Sequence, residues 1–66
     1  MQVILNGVSA ELANGLTVAD VVPMVTDRTS GIAVARNGEV VPRSRWSGDV
    51  VAPGDRVDVL TAVQGG

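Results

Sequence analysis

The chain has 66 residues, a formal net charge of -2 and a pI near 4.6, so it has room for one small domain and lacks the basic face of a general nucleic-acid-binding protein. It contains no Cys, no His and no Lys, which excludes a disulfide framework, a thiolate or imidazole metal site and a Ser-His catalytic pair. Without a long apolar run or a signal peptide pattern, we expect a soluble cytoplasmic protein that does not contact a membrane.

The first predicted elements are two strands joined by a tight turn. Residues 2–6 and 8–12 favour strands, the second through alternation of apolar and polar side chains. Asn6-Gly7 lies between them, and this dipeptide favours a type I′ turn because both residues tolerate positive φ. The segment is therefore predicted to form a β-hairpin.

A short helix is predicted over about residues 18 to 28. Thr17 and Asp20 have the spacing of a capping box, with Asp in place of Glu, and valines follow at helical intervals. Pro23 lies beyond the first turn, where it removes a hydrogen bond and clashes with the preceding turn. We expect either a kink there or two short helical pieces.

The second half of the chain is predicted to contain three more strands. They cover residues 32–36, 39–41 and 56–63, with an Asn37-Gly38 hairpin turn, an irregular segment over 42–50 and a type II turn at Pro53-Gly54. The last strand places Val57, Val59, Thr61 and Val63 on one face and Arg56, Asp58, Leu60, Ala62 and Gln64 on the other. Strands around a single helix predict an α+β domain, a β-grasp arrangement with a mixed sheet of four to five strands and the helix on one face.

The chain ends in Gly65-Gly66. Two terminal glycines arise by chance at a frequency of roughly 1 in 200, and a cloning scar or a clipped tail would also produce them. Alternatively, they leave a carboxylate on a stalk without side chains, which can enter another protein's active site. We predict one domain over residues 1–66 with 64–66 as a flexible tail.

Several short motifs resemble the sulfur carrier proteins of thiamine biosynthesis, the ThiS type. They are Val41-Pro42-Arg43 followed by Trp46, Gly54-Asp55 before the last strand, and Val63 with the terminal glycines, together with Met1–Asn6 and Leu16-Thr17-Val18. The resemblance spans the whole chain. Related β-grasp carriers, such as the small subunit of molybdopterin synthase, share the Gly-Asp turn and the tail but are longer and lack the VPR..W segment. Pro23 and Gln64 depart from the ThiS pattern.

The resemblance implies a function for the tail. A ThiF-like adenylyltransferase would activate the Gly66 carboxylate with ATP, a sulfur donor would convert it to a thiocarboxylate, and a thiazole synthase would receive the sulfur. Val63, Gln64 and Gly65 would give Gly66 access to these enzymes. The chain would then be a protein co-substrate and not an enzyme, monomeric when free, with no bound cofactor because the partner consumes the ATP.

Leu60, Ala62 and Ile4 are predicted to lie on the sheet face opposite the core valines, with Ala33 and Ala35 extending it. Exposed apolar groups next to the tail predict a partner-docking patch. The alternative is that scattered surface Leu and Ala have no such role.

Two other clusters have simpler interpretations. A nucleic-acid-binding patch formed by Arg43, Arg45 and Trp46 would have too few cations to follow a phosphate backbone. We therefore expect Trp46 to cover one end of the core and Arg43 to lie at the surface. The aspartates that could suggest a metal site are better explained by turn and cap positions: Asp20, Asp49, Asp55 and Asp58.

Three alternatives to the thiamine carrier remain open on the sequence. One is a sulfur carrier for molybdopterin or cysteine synthesis. Another is a ubiquitin-like modifier that becomes attached to lysines of other proteins. The third is a small regulatory binding module whose terminal glycines have no chemical role.

Overall fold

The computed structural model describes residues 1–62. It contains five strands, one α-helix and one 3-10 helix: β1 (Gln2–Leu5), β2 (Val8–Glu11), α1 (Val18–Val25), β3 (Ile32–Arg36), β4 (Glu39–Val40), the 3-10 helix (Arg43–Gly48) and β5 (Arg56–Thr61). In this described part of the chain, no helix has the length and apolar character needed to span a bilayer.

Asn6-Gly7 and Asn37-Gly38 form the predicted hairpin turns. Asn6 and Asn37 have φ of 50° and 53°, and each following glycine also has positive φ, as a type I′ turn requires. β1 pairs antiparallel with β2, and β3 with β4. The strands are slightly shorter than predicted at several ends, which is the usual behaviour of strand boundaries.

One five-stranded sheet has the order β2-β1-β5-β3-β4. β1 and β5 lie side by side in parallel, and β3 pairs antiparallel with β5. The predicted central position of the first and last strands is therefore confirmed, and so is the α+β fold with a mixed sheet and one helix. This order puts the strand that leads into the chain's end in the middle of the sheet.

The core lies between α1 and one face of the sheet. It consists of valines and one tryptophan: Val3, Val18, Val21, Val22, Val34, Val41, Trp46, Val51, Val57 and Val59. Since valine is β-branched and compact, these side chains suit strands and pack closely under a short helix. The predicted valine face is thus the covered face.

Helix α1 begins as predicted and ends three residues early. The Thr17 hydroxyl accepts a hydrogen bond from the Asp20 N–H, and the Asp20 carboxylate accepts one from the Thr17 N–H, which is a capping box. Pro23 lies inside a continuous helix, so the alternative of two helical pieces is wrong. The end predicted at residue 28 is also wrong, because Thr26 is already extended with φ of -146°.

Residues 42–50 are not irregular throughout, contrary to the prediction. Arg43–Gly48 forms a 3-10 helix, and the Arg45 N–H donates to the Pro42 carbonyl at 2.8 Å. Trp46 is buried within it and donates from Nε1 to the Val41 carbonyl at 2.8 Å. Short 3-10 helices have no long apolar period, which explains why the sequence pattern missed this one.

Candidate functional site

The predicted tail starts at the end of the central strand β5. Ala62, the last described residue, donates its N–H to the Gly31 carbonyl at 2.6 Å, so backbone pairing extends one residue beyond β5. Val63, Gln64, Gly65 and Gly66 lie outside the described residues. Their assigned roles therefore stay predictions, and the structure defines the position of Ala62, the residue that precedes them.

Leu60, Ala62 and Ile4 lie on the open face of the sheet, as predicted. Leu60 is 63% exposed and Ile4 is 43% exposed, and Ala62 is also exposed. Val57 and Val59 alternate with Leu60 along β5 and are buried beneath α1. The predicted division of the two faces is confirmed, while the docking role of the open face stays a prediction.

The three patch residues do not form one contiguous surface. Ile4 pairs with Arg56, four residues before Leu60 on β5, which separates them by roughly 13 Å along the strand. Between them on this face lies Asp58, whose carboxylate accepts from Arg56 Nε at 3.2 Å. The patch near the tail therefore consists of Leu60 and Ala62 with Ala33, which is exposed and pairs with Leu60.

Val40 adds an apolar group to the open face that the sequence reading missed. It is 75% exposed and pairs with Ala35, which in turn pairs with Asp58. Paired residues share a face of the sheet. The sequence contains enough information to predict this position, because the hairpin turn at Asn37-Gly38 sets a register that places Val40 opposite Ala35.

Asn6 joins β1 to β5 through its side chain. Its Oδ1 accepts from the Val59 N–H at 2.6 Å, and its Nδ2 donates to the Val59 carbonyl at 3.2 Å. The sequence reading assigned Asn6 only a turn role. Beyond the end of β1, these two side-chain hydrogen bonds take the place of backbone hydrogen bonds between β1 and β5. They hold β5 in place close to the tail.

Asp55 anchors the Gly-Asp turn from a buried position. Its carboxylate accepts from Arg36 Nε at 2.7 Å, from Asn37 Nδ2 at 3.0 Å and from the Ala52 N–H at 2.8 Å. Burial raises the pKa of Asp55, but these three hydrogen bonds together with the positive charge of Arg36 bring it below its ordinary value. The carboxylate is therefore charged at neutral pH and serves the structure of the turn.

The other aspartates have local partners as well. Asp20 caps α1, Asp49 accepts from Arg36 Nη1 at 2.9 Å, and Asp58 pairs with Arg56. The turn and cap interpretation holds for Asp55, Asp20 and Asp49, since Asp49 is the C-cap residue of the 3-10 helix. It is wrong for Asp58, which lies within β5. Within residues 1–62, no three His, Cys, Asp or Glu side chains converge as metal ligands would.

Trp46 is buried and Arg43 is exposed, as expected from the sequence. Trp46 is 7% exposed and packs among the valines of the core. Arg43 lies at the surface, with its guanidinium carbon 5.2 Å from the centre of the Trp46 ring, which is within range of a cation–π contact. Arg45 is exposed on the same 3-10 helix.

A sequence model of the ThiS family matches residues 3–66, nearly the entire chain and including the terminal glycines. The chain belongs to the ThiS family. The sulfur carrier protein ThiS of Escherichia coli (strain K12) is 32% identical over 66 residues, which is 100% of both chains. The crystal structure of the thiamine biosynthesis protein ThiS from Geobacter metallireducens is similar with a TM-score of 0.85 and 28% identity, over 100% of both chains.

ThiS-family membership confirms the resemblance seen in the sequence and the β-grasp fold. Members of this family are sulfur carrier proteins of thiamine biosynthesis, so the predicted general role is confirmed too. A ThiS protein is a small carrier and not an enzyme. It works with partner enzymes in thiamine synthesis.

Proposed function

We propose that this ThiS-family chain carries sulfur as a thiocarboxylate on Gly66 and delivers it to the thiazole ring of thiamine. The observation that carries the proposal is the family match, which runs through the C-terminal Gly65-Gly66. The position of β5 supports it, because the tail continues from a central strand whose last described residue is held by Gly31.

The first chemical step is adenylation. The Gly66 carboxyl has an ordinary pKa of about 3.5, so at neutral pH it is an anion. A carboxylate oxygen attacks the α-phosphorus of ATP, and pyrophosphate leaves with the electrons of the broken P–O bond. The product is an acyl-adenylate, a mixed anhydride whose carbonyl carbon is electrophilic.

The second step places sulfur on the same carbon. A sulfur nucleophile at the oxidation level of sulfide attacks the Gly66 carbonyl, a C–S bond forms, and AMP leaves as the C–O bond breaks. The proton of the sulfur nucleophile passes to solvent. No side chain of the carrier takes part, so the partner enzymes supply the acid, base and metal chemistry.

The tail residues provide reach and clearance in this proposal. Four residues, 63–66, span at most roughly 14 Å when extended, which lets the carboxylate enter a narrow channel while the domain stays outside. A Cβ at Gly65 or Gly66 would restrict the backbone and crowd the nucleotide. Val63 and Gln64 serve as the spacer.

The adenylating enzyme would hold the carrier on its open face. Leu60 and Ala62 lie directly before the tail and are exposed, so an enzyme that grips them also controls where Gly66 goes. Ile4 would form a second contact point, separated from Leu60 by the Arg56–Asp58 pair. Exposed apolar groups rimmed by charge are typical of protein interfaces.

The proposed partners are a ThiF-like adenylyltransferase, a thiazole synthase and a sulfur donor system. The carrier itself would bind no cofactor, since ATP binds to the adenylyltransferase. The reaction would take place in the cytoplasm, where ATP is available, and the free carrier would be a monomer. Neither nucleic acid nor membrane has a part in the proposal.

Intact mass spectrometry tests the proposal. The carrier is incubated with ATP, a ThiF-like adenylyltransferase and sulfide, and the expected result is the mass gain of one oxygen-to-sulfur exchange, located to Gly66 by fragmentation. A chain that lacks Gly66 is the matched control, because residues 1–62 are unchanged. No exchange in the full chain, or equal exchange in the truncated chain, would contradict the proposal.

Delivery of the sulfur tests the pathway. The thiocarboxylate form is offered separately to a thiazole synthase, to the large subunit of molybdopterin synthase and to a cysteine-forming sulfur acceptor. We expect sulfur transfer with the thiazole synthase alone. Transfer with one of the other two would favour that pathway, and isopeptide adducts on other proteins would favour a ubiquitin-like modifier.

A further inference from the structure

The VPR..W segment, Val41 to Trp46, forms a bracket, a short stretch of chain closed by its own hydrogen bonds. The Val41 N–H donates to the Val34 carbonyl at 2.8 Å, which fastens the start of the segment to β3. Trp46 is buried and returns a hydrogen bond from Nε1 to the Val41 carbonyl at 2.8 Å. The two ends of the segment are thus tied to each other and to the sheet.

Arg43 projects from this bracket to the loop that follows α1. Its guanidinium lies over the Trp46 ring at 5.2 Å, and its Nη1 donates to the Thr29 carbonyl at 3.1 Å. Thr29 belongs to residues 26–31, which we call the root loop. A planar guanidinium can make both contacts at once, because its face stacks on an aromatic ring while its N–H groups donate hydrogen bonds in its plane.

The root loop holds the last described residue before the tail. The Gly31 carbonyl accepts from the Ala62 N–H at 2.6 Å. Gly31 has φ of +68°, and a Cβ added there would lie 3.4 Å from the Ala62 Cβ. The left-handed backbone favours glycine at this position, and an added Cβ would be in van der Waals contact with Ala62.

We propose that the VPR..W segment positions the tail, with Arg43 as a positioning residue that acts through the root loop. The path runs from the Trp46 ring to Arg43, to the Thr29 carbonyl, and through Gly31 to Ala62. It fixes the position of Ala62, the residue to which the tail is attached. The inference rests on the proposed function, since a fixed starting point matters most for a tail that must enter a narrow channel.

Arg43→Ala is the test, and Arg45→Ala is its matched control on the same 3-10 helix. Hydrogen exchange at the Ala62 N–H reports the bracing directly, without any partner. We expect Arg43→Ala to speed this exchange about three- to tenfold, the range given by loss of one exposed hydrogen bond and one exposed cation–π contact. Arg45→Ala should leave it unchanged, and thermal unfolding of both variants shows that they are folded.

The kinetic readout is thiocarboxylate formation on the ThiF-like enzyme. Arg43→Ala should lower kcat about three- to tenfold and leave KM for the carrier within about twofold, because the docking face is intact while tail delivery is less ordered. Equal Ala62 exchange in the two variants would overturn the proposal. The proposal would also be overturned if Arg43→Ala changed hydrogen exchange at the Ala62 N–H without changing kcat, or changed kcat without changing this exchange.

Gly31→Ala perturbs the same path from the loop side. Gly15→Ala is its control, because Gly15 also has positive φ, at +85°, and a Cβ there meets nothing within 4 Å. Both variants carry similar backbone strain, and only the first should speed Ala62 exchange and lower kcat. If the wild-type chain forms no thiocarboxylate, the proposed function fails, while the exchange comparison still decides whether the segment braces the tail.

Discussion

Asp55 ties two turns together through one carboxylate. It accepts from the Ala52 N–H within its own turn and from Arg36 and Asn37 in the β3–β4 hairpin. Asn37 in turn accepts from the Arg56 N–H at 2.9 Å with its own Oδ1. The donors come from two separate turns of the chain, so the start of β5 is fixed by side chains as well as by the sheet.

Asp55→Asn should lower the free energy of unfolding by about 1–3 kcal/mol, because one charged acceptor is lost from a buried group whose partners remain. Urea denaturation at neutral pH measures the change. Asp58→Asn is the control, since the Arg56–Asp58 pair has a largely exposed arginine and surface pairs contribute about 0–1 kcal/mol. Equal losses in the two variants would contradict the assignment of Asp55 as the anchor.

Leu60→Arg tests the docking patch. Leu60 is 63% exposed, so the substitution should leave the unfolding midpoint nearly unchanged while it lowers kcat/KM for adenylation by about tenfold or more, as expected for a central apolar contact. Val8→Arg is the control, because Val8 is 67% exposed on the edge strand β2. Normal turnover of the Leu60 variant would remove this patch from the interface. Ile4→Arg, measured alongside, decides whether Ile4 belongs to it.

Helix α1 depends on its first turn and on its buried face. Eight residues are too few for a stable isolated helix, and Pro23 removes one internal hydrogen bond. The capping box at Thr17 and the burial of Val18, Val21 and Val22 offset these costs. The helix ends at Val25, the last valine of its periodic pattern, and the extended residue Thr26 begins the root loop.

Thr17→Ala should destabilise the protein by about 1 kcal/mol, the usual effect of losing an N-cap hydroxyl. Thr17→Ser keeps the hydroxyl and should change the free energy of unfolding little. Chemical denaturation of both variants gives the comparison. Two equally destabilised variants would mean that the methyl group of Thr17 is responsible, and not the cap.

The fold as a whole is a core of valines and Trp46 under α1, with the other face of the sheet left open. Among residues 1–62, three carboxylates have a lowered pKa. Hydrogen bonding to the N-terminal ammonium lowers the pKa of Glu11, and hydrogen bonds from Thr17 lower the pKa of Asp20. Burial raises the pKa of Asp55, but its hydrogen bonds and the charge of Arg36 outweigh that effect.

Stability should therefore fall in acid. A carboxylate with a lowered folded pKa contributes stability at pH values above its unfolded pKa, about 4, and that contribution is lost as the pH falls through the folded pKa. We expect the free energy of unfolding to be nearly constant from pH 7 to pH 6 and to decrease between about pH 5 and pH 2. Denaturation across this range measures it, and Asp55→Asn should flatten the curve. A constant free energy down to pH 3 would contradict the lowered pKa values.

Local chemistry was readable from the chain alone. The Asn-Gly turns, the capping box and the alternation in β5 each depend on residues within a few positions of one another, and the structure confirms all three within residues 1–62. The short motifs along the chain, from Met1–Asn6 to the terminal glycines, also indicate the family. Short-range preferences of this kind are encoded by dihedral and hydrogen-bonding properties of the residues themselves.

Contacts between distant segments required the tertiary structure. The burial of Asp55 and the separation of Ile4 from Leu60 depend on strand order and register. The Arg43–Thr29 bond joins residues 14 positions apart, and the Arg36–Asp55 pair joins residues 19 apart. No local pattern specifies which of several arginines meets which carbonyl or carboxylate, because that choice follows from how the helix and the sheet pack together.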